Sequence, residues 1–169
     1  MRRRLVLLGA GIISSTLSIS QVKKQFSVED NAEVRVVDLN FKVNSGRCYI
    51  KQGVSKELLN VYSDQDYDSY GHSFEKNITG KNCEINLDLE DSRSESLGQS
   101  ISYRMFGRSE EEKDKTWKVY LTDNKAYNLN LDYGVGEAHI NLGGLSINNL
   151  KVHTGSADVN IGYKEDQSN

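Results

Sequence analysis

The pattern Leu129-x-Leu131-x-x-Gly134-x-Gly136-Glu137-x-x-Ile140 recurs 21 residues later as Leu150-x-Val152-x-x-Gly155-x-Ala157-Asp158-x-x-Ile161. Apolar residues alternate at period two on both sides of a glycine, so each copy reads as a strand, a turn and a second strand. Stacking the copies sets Leu129 over Leu150, Leu131 over Val152 and Ile140 over Ile161, which is how a β-solenoid builds its core. A degenerate upstream copy, Phe41-x-Val43-x-x-Gly46-x-Cys48-x-Ile50, again has its glycine five positions after the first apolar residue. Gly46, Gly134 and Gly155 are therefore assigned to the turns, where a positive φ or a close backbone approach is needed. An antiparallel meander of equal hairpins is the competing arrangement.

The rest of the chain also reads as β. Proline is absent, and period-two alternation prevails over helical spacing. Ile85-x-Leu87-x-Leu89 turns Asn86, Asp88 and Glu90 outward, as in a strand with one buried and one wet face. Ile101 to Phe106 and Trp117 to Leu121 flank the charged run Arg108 to Lys115 and read as a hairpin with a long charged tip. The fold class is thus all-β: a short solenoid-like stack or rolled sheet with a charged-tip hairpin. Its boundaries fall at residues 36–163, after a leader strand or linker at 21–35 and before a polar tail at 164–169, with the repeat at 129–163.

The first 20 residues have the layout of a secretory signal: Arg2, Arg3 and Arg4, the apolar run Leu5 to Ile13, then a Ser-rich stretch ending in Ser18-Ile19-Ser20. Nine strongly apolar residues are too few to cross about 30 Å of hydrocarbon, so cleavage before Gln21 is expected and no stable membrane anchor would remain. Loss of the three arginines takes the net charge from −3 to −6, which disfavours nucleic acid as a partner. Export to an oxidising compartment makes Cys48 and Cys83 a candidate disulfide, and both fall on inward phases of their alternations.

The stretch Leu129 to Tyr163, above all Leu131-Asp-Tyr-Gly-Val-Gly-Glu137 and Thr154-Gly-Ser-Ala-Asp-Val159, resembles the bacterial “toast-rack” or “putative-adhesin” domains, which look similar to the C-terminal domains of cell-wall stress regulators. The resemblance implies stacked β-strands and a place in the periplasm or at the cell surface. It carries over no catalytic residue. The repeat here stops at Tyr163, where that family usually continues through further rungs.

Candidate chemistry is sparse. Asp64, Asp66 and Asp68 with Glu75 have the ligand spacing of an EF-hand calcium loop, but Ser69 stands where the sharp turn needs Gly and the flanks Leu58 to Tyr62 and Phe74 to Ile78 read as strands. His139 and His153 fall on outward positions and, with His72, supply no converging zinc set. Glu137 and Asp158 align between rungs, and paired carboxylates can hydrolyse glycosidic bonds; acidic residues after a turn also serve solubility and edge protection. Asn77-Ile-Thr79 fits the glycosylation triplet. No serine elbow, phosphate loop or C-x-x-C pair is present. No catalytic, metal or cofactor site is assigned. The reading is a non-enzymatic exported envelope protein that binds a protein or glycan of the envelope or serves a structural role, with oligomerisation through a strand edge. A sensory domain in envelope stress, implied by the resemblance, and a carbohydrate-active enzyme using Glu137 and Asp158 are its alternatives.

Overall fold

The computed structural model describes residues 22–90 and 115–163. Within them the strands are β1 (Lys23–Val28), β2 (Val36–Gln52), β3 (Leu59–Ser63), β4 (Gly71–Thr79), β5 (Asn82–Glu90), β6 (Thr116–Leu121), β7 (Ala126–Asn141) and β8 (Ser146–Gly162), with one 3-10 turn at Tyr67–Ser69.

Three long strands, β2, β7 and β8, lie parallel and side by side. Asn141 at the end of β7 pairs with Gly162, yet Ser146, five residues on, pairs with Ala126 at the start of β7. A straight strand of that length would span about 50 Å, and five residues reach at most about 18 Å. Each rung must therefore double back on itself, which a meander of hairpins would not do. The repeat is a coil of stacked rungs.

The doubling occurs at the glycines. Tyr127, Leu129, Leu131 and Tyr133 point inward and are buried, and the next inward residues are Gly136, Ala138 and Ile140, so the alternation changes phase between Tyr133 and Gly136. Gly136 has a φ of +136°, and a Cβ there would collide with the Gly46 carbonyl oxygen of the neighbouring rung. Gly134 and Gly155 sit at the same corner without a positive φ; they permit close approach, a Cβ at Gly155 falling 2.6 Å from the Gly134 carbonyl oxygen.

Folding each rung in two divides the sheet into two facing layers. The first arm of β2 pairs in parallel with β5, Val36 to Asn82 through Val43 to Leu89, and β5 pairs antiparallel with β4. The second arm pairs with β6, Arg47 to Thr116 through Gln52 to Leu121, followed by β3 and then β1. Leu39, Phe41, Ile85 and Leu87 from one layer and Ile50, Val61, Val119 and Leu121 from the other belong to one buried core. Each such side chain contributes about 1.5–3 kcal/mol by leaving water. At the far end the layers meet through aromatic rings: Phe26 of β1 lies 5.4 Å from Phe74 and 5.5 Å from His72 of β4.

The two C-terminal copies stack as expected, Leu129 on Leu150, Leu131 on Val152 and Ile140 on Ile161. The upstream copy is the third rung, but its register differs by two: Phe41 pairs with Leu131 and Gly46 with Gly136, whereas aligning the first glycines had matched Phe41 to Leu129 and Gly46 to Gly134. Trp117 to Leu121 forms β6, whose ladder partners are β2 and β3. The other arm of the expected hairpin, Ile101 to Phe106, and most of its charged tip lie outside the described residues.

Candidate functional site

Among the described residues β8 pairs with β7 alone. Leu129, Leu131, Ala138 and Ile140 of β7 are at most 4% exposed, but their partners Leu150, Val152 and Val159 are only partly buried, as is Ala157 opposite Gly136, and Ile161 is 39% exposed. The difference follows from position: β7 is covered on both sides, and β8, among the described residues, on one. β8 is 17 residues long, without proline and with only Lys151, His153 and Asp158 as acidic or basic side chains. Long edges of this kind, lightly charged, are templates for pairing with another strand.

The outer surface of the second arms carries a ladder of charge. Arg47, Glu137 and Asp158 occupy the same position on successive rungs, so the two carboxylates are neighbours at about 4.8 Å of strand spacing. The Arg47 Nε lies 3.8 Å and the His139 Nε2 4.0 Å from the Glu137 carboxylate. The His139 ring stacks on Tyr49 of the adjacent rung, with centroids 5.1 Å apart and planes 13° apart. An open groove of about 570 Å³ lies beside this stack, bordered by Tyr49, His139, Asn160 and Tyr163. A glycosidase pair needs one carboxyl group held protonated, commonly by burial. Glu137 and Asp158 are both exposed, and Glu137 has a cation beside it; the arrangement suits a polar contact face.

A family model described as the N-terminal domain of toast_rack, DUF2154, matches residues 16–169. The chain belongs to this family. No curated protein matches the toast-rack chain in sequence. A crystal structure of a “putative cell adhesion protein” from Clostridium sporogenes is similar to it with a TM-score of 0.65 at 19% identity, over 86% of this chain and 65% of that one. The likeness shows a shared fold, and the toast-rack chain spans about two thirds of that protein's length.

Other residues singled out in the sequence of this toast-rack domain are dispersed. Cys48 and Cys83 are both buried, as their phases predict, but they are free thiols and the expected bridge is not formed. Cys83 stands opposite Val37 in the first arm of β2, while Cys48 lies eleven residues further along, past the corner. Burial pushes the Cys48 thiol up to about 12. Burial, reinforced by Asp38 and opposed by Lys76, also raises that of Cys83.

The acidic loop is drawn in different directions. Asp64 accepts a 3.0 Å hydrogen bond from the Thr116 amide, Asp66 pairs with Lys23 at 2.5 Å, and Glu75 sits on β4 opposite Asn86. Among the described residues no group of three or more His, Cys, Asp or Glu converges on a point where a metal could sit. His72 lies in the aromatic cluster, 4.2 Å from the Tyr67 ring, and His153 stands opposite Asp132 on the neighbouring rung. Asn77 to Thr79 lies on the exposed strand β4. The signal-like residues 1–20 fall outside the described residues.

Two structural groups had no signature in the sequence. Lys125, buried, forms an ion pair with Asp30 at 2.9 Å and donates to the Asn31 carbonyl at 3.2 Å. Tyr133, inside the corner, donates its hydroxyl to the Gly46 carbonyl and lies 3.1 Å from that of Glu137. Both depend on contacts between segments far apart in the chain.

Proposed function

We propose that this toast-rack domain is a non-enzymatic exported protein of the bacterial envelope, working as a binding or structural module through the rung β8. The observation that carries this reading is the contrast between β7, whose inward row is buried, and β8, whose matching row is half covered. A row of half-covered apolar side chains serves association, whereas the carboxylates Glu137 and Asp158 lie exposed beside Arg47. Family membership and the adhesion-protein neighbour support a place outside the cytoplasm, and the layout of residues 1–20 supplies a route there.

Fractionation of cells carrying a C-terminally tagged chain tests the reading. The chain is expected in the extracytoplasmic fraction with a mature N-terminus near Gln21, determined by mass spectrometry. A full-length chain retained in the cytoplasm would contradict it.

A further inference from the structure

We propose that a cleft on the outer face of β3 and β6, separate from β8, binds a single sugar ring that carries a carboxylate. The cleft follows from the order of the strands. β6 lies between β2 and β3, and both neighbours meet it at the same end: Gln52 closes β2 opposite Leu121, and Leu59 opens β3 opposite the same residue. The connection of residues 53–58 therefore crosses over β6. It does so closely, the Gly53 amide donating to the Leu121 carbonyl at 2.8 Å and a Cβ on Gly53 falling 2.9 Å from that of Tyr120. Lys24 ties the crossing to β1 through Glu57 at 2.7 Å. Between the crossing and the strands lies an open cleft of about 270 Å³.

Four side chains of the sheet line it. Asn60 stands opposite Tyr120 and Tyr62 opposite Lys118, a block of outward residues two apart on paired strands. The Tyr62 and Tyr120 rings meet across its diagonal edge to face, with centroids 5.6 Å apart and planes at 84°. Asn60 belongs to the outer face, yet it is only 1% exposed, and its Oδ1 has no hydrogen-bond partner among the described residues. Hydrogen bonds from Lys24, Ser55 and Asn60 hold the Glu57 carboxyl below its usual range against desolvation. A carboxylate only accepts, so the Asn60 NH2 group serves Glu57 and the oxygen is left over. A buried acceptor left unpaired destabilises a fold, and a donor from a ligand relieves it. Lys118 enters no ion pair among the described residues.

A buried acceptor, two π faces and an unpaired cation define the occupant. A hydroxyl donates to Asn60, the C–H groups of a saturated ring lie on the negative faces of the tyrosines, and a carboxylate meets the Lys118 ammonium. That ammonium repels the cationic ligands that aromatic faces otherwise attract. The volume falls just under the range of about 300–1,000 Å³ usual for small-ligand sites, so it suits one ring and not an extended chain.

NMR titration of the isotope-labelled chain, purified as its host processes it, tests the site with the methyl glycosides of glucuronate and galacturonate. The Asn60 side-chain amide and the backbone amides of Tyr62, Lys118 and Tyr120 should shift with millimolar affinity for at least one of them. The matching glucoside or galactoside, with a hydroxymethyl group in place of the carboxylate, should bind about tenfold more weakly. Lys118→Met should erase that preference while leaving the neutral sugar's affinity unchanged, and Lys118→Arg should keep the preference. Tyr62→Leu should weaken both sugars about threefold or more. Both substituted residues are only half-buried, and the amide spectrum shows directly that each variant is folded. No shift at these residues with either uronoside, up to its solubility limit, overturns the proposal. Equal affinity for acetate or benzoate does so as well, as does a preference for the acidic sugar that survives Lys118→Met. Nuclear Overhauser contacts from residues before Val22 to Tyr120 would place the chain's own leader in the cleft and also overturn it. The fractionation experiment reads export separately, so either reading can fail without the other.

Discussion

The hydroxyl of Tyr133, buried inside the corner of the middle rung, donates to the carbonyl of Gly46 on the neighbouring rung. It also lies 3.1 Å from the Glu137 carbonyl oxygen across the turn of its own rung. Tyr133 thus serves carbonyl groups that the doubled strand carries inside its corner, where water has little access. Tyr133→Phe removes the donor and keeps the ring, and should lower unfolding stability by about 1–3 kcal/mol. Urea unfolding of the two proteins measures it; an unchanged midpoint would show that the hydroxyl is dispensable.

Corner glycines should differ sharply from hairpin glycines. Gly136→Ala meets both a positive φ and the Gly46 carbonyl oxygen, and should cost about 3 kcal/mol or prevent folding. Gly80, in the two-residue turn between β4 and β5, has a φ of +58° but open space around its missing Cβ. Gly80→Ala should cost about 1 kcal/mol. Thermal melts of the pair report the contrast.

Both cysteines should be inert in the native protein. Burial raises both thiols, that of Cys48 to about 12, so little thiolate forms at neutral pH and reagents have no path to it. Ellman's reagent should titrate neither thiol in buffer and both in guanidinium. Rapid modification of the folded chain would place these side chains outside the core.

Acid should weaken the attachment of the segment before β2. Burial pushes the Asp30 carboxyl upward, but hydrogen bonds from Lys125 and Asn124 and the charge of Lys125 outweigh it and hold the group below its usual 3.8. A carboxylate depressed in the folded state contributes stability that is complete above about pH 4, its unfolded range, and is lost as pH falls through the folded value. Lys125→Met should cost about 1–3 kcal/mol near neutrality and flatten the decline in stability below pH 4. An equal acid slope in both proteins would locate the sensitivity elsewhere.

Side-chain alternation in the sequence reported which residues face inward, but not which strands adjoin. The inward phases of Cys48 and Cys83 were legible for that reason, and the distance between them was not, because phase says nothing about position along a strand. The third rung shows the same limit. Its pattern can slide by two residues against β7 and keep every side chain on its own face. Gly134 and Gly136 both offered a match to Gly46, and the match through Gly136 is the one found, since that position carries the positive φ on both rungs. The division of one edge of β2 between β5 and β6 left no local trace, because it joins segments separated by dozens of residues. The alignment of Glu137 with Asp158 was legible, while the neighbouring Arg47 became visible only with the register of the third rung.

Hydrogen exchange along β8, resolved by residue, tests most directly the claim that this rung is a contact surface. In the native chain, amides directed to the far edge of β8 should be protected nearly as well as those directed to β7. Far-edge amides that exchange rapidly while the β7-facing set stays slow would show that this face of β8 meets no partner, and would contradict the account.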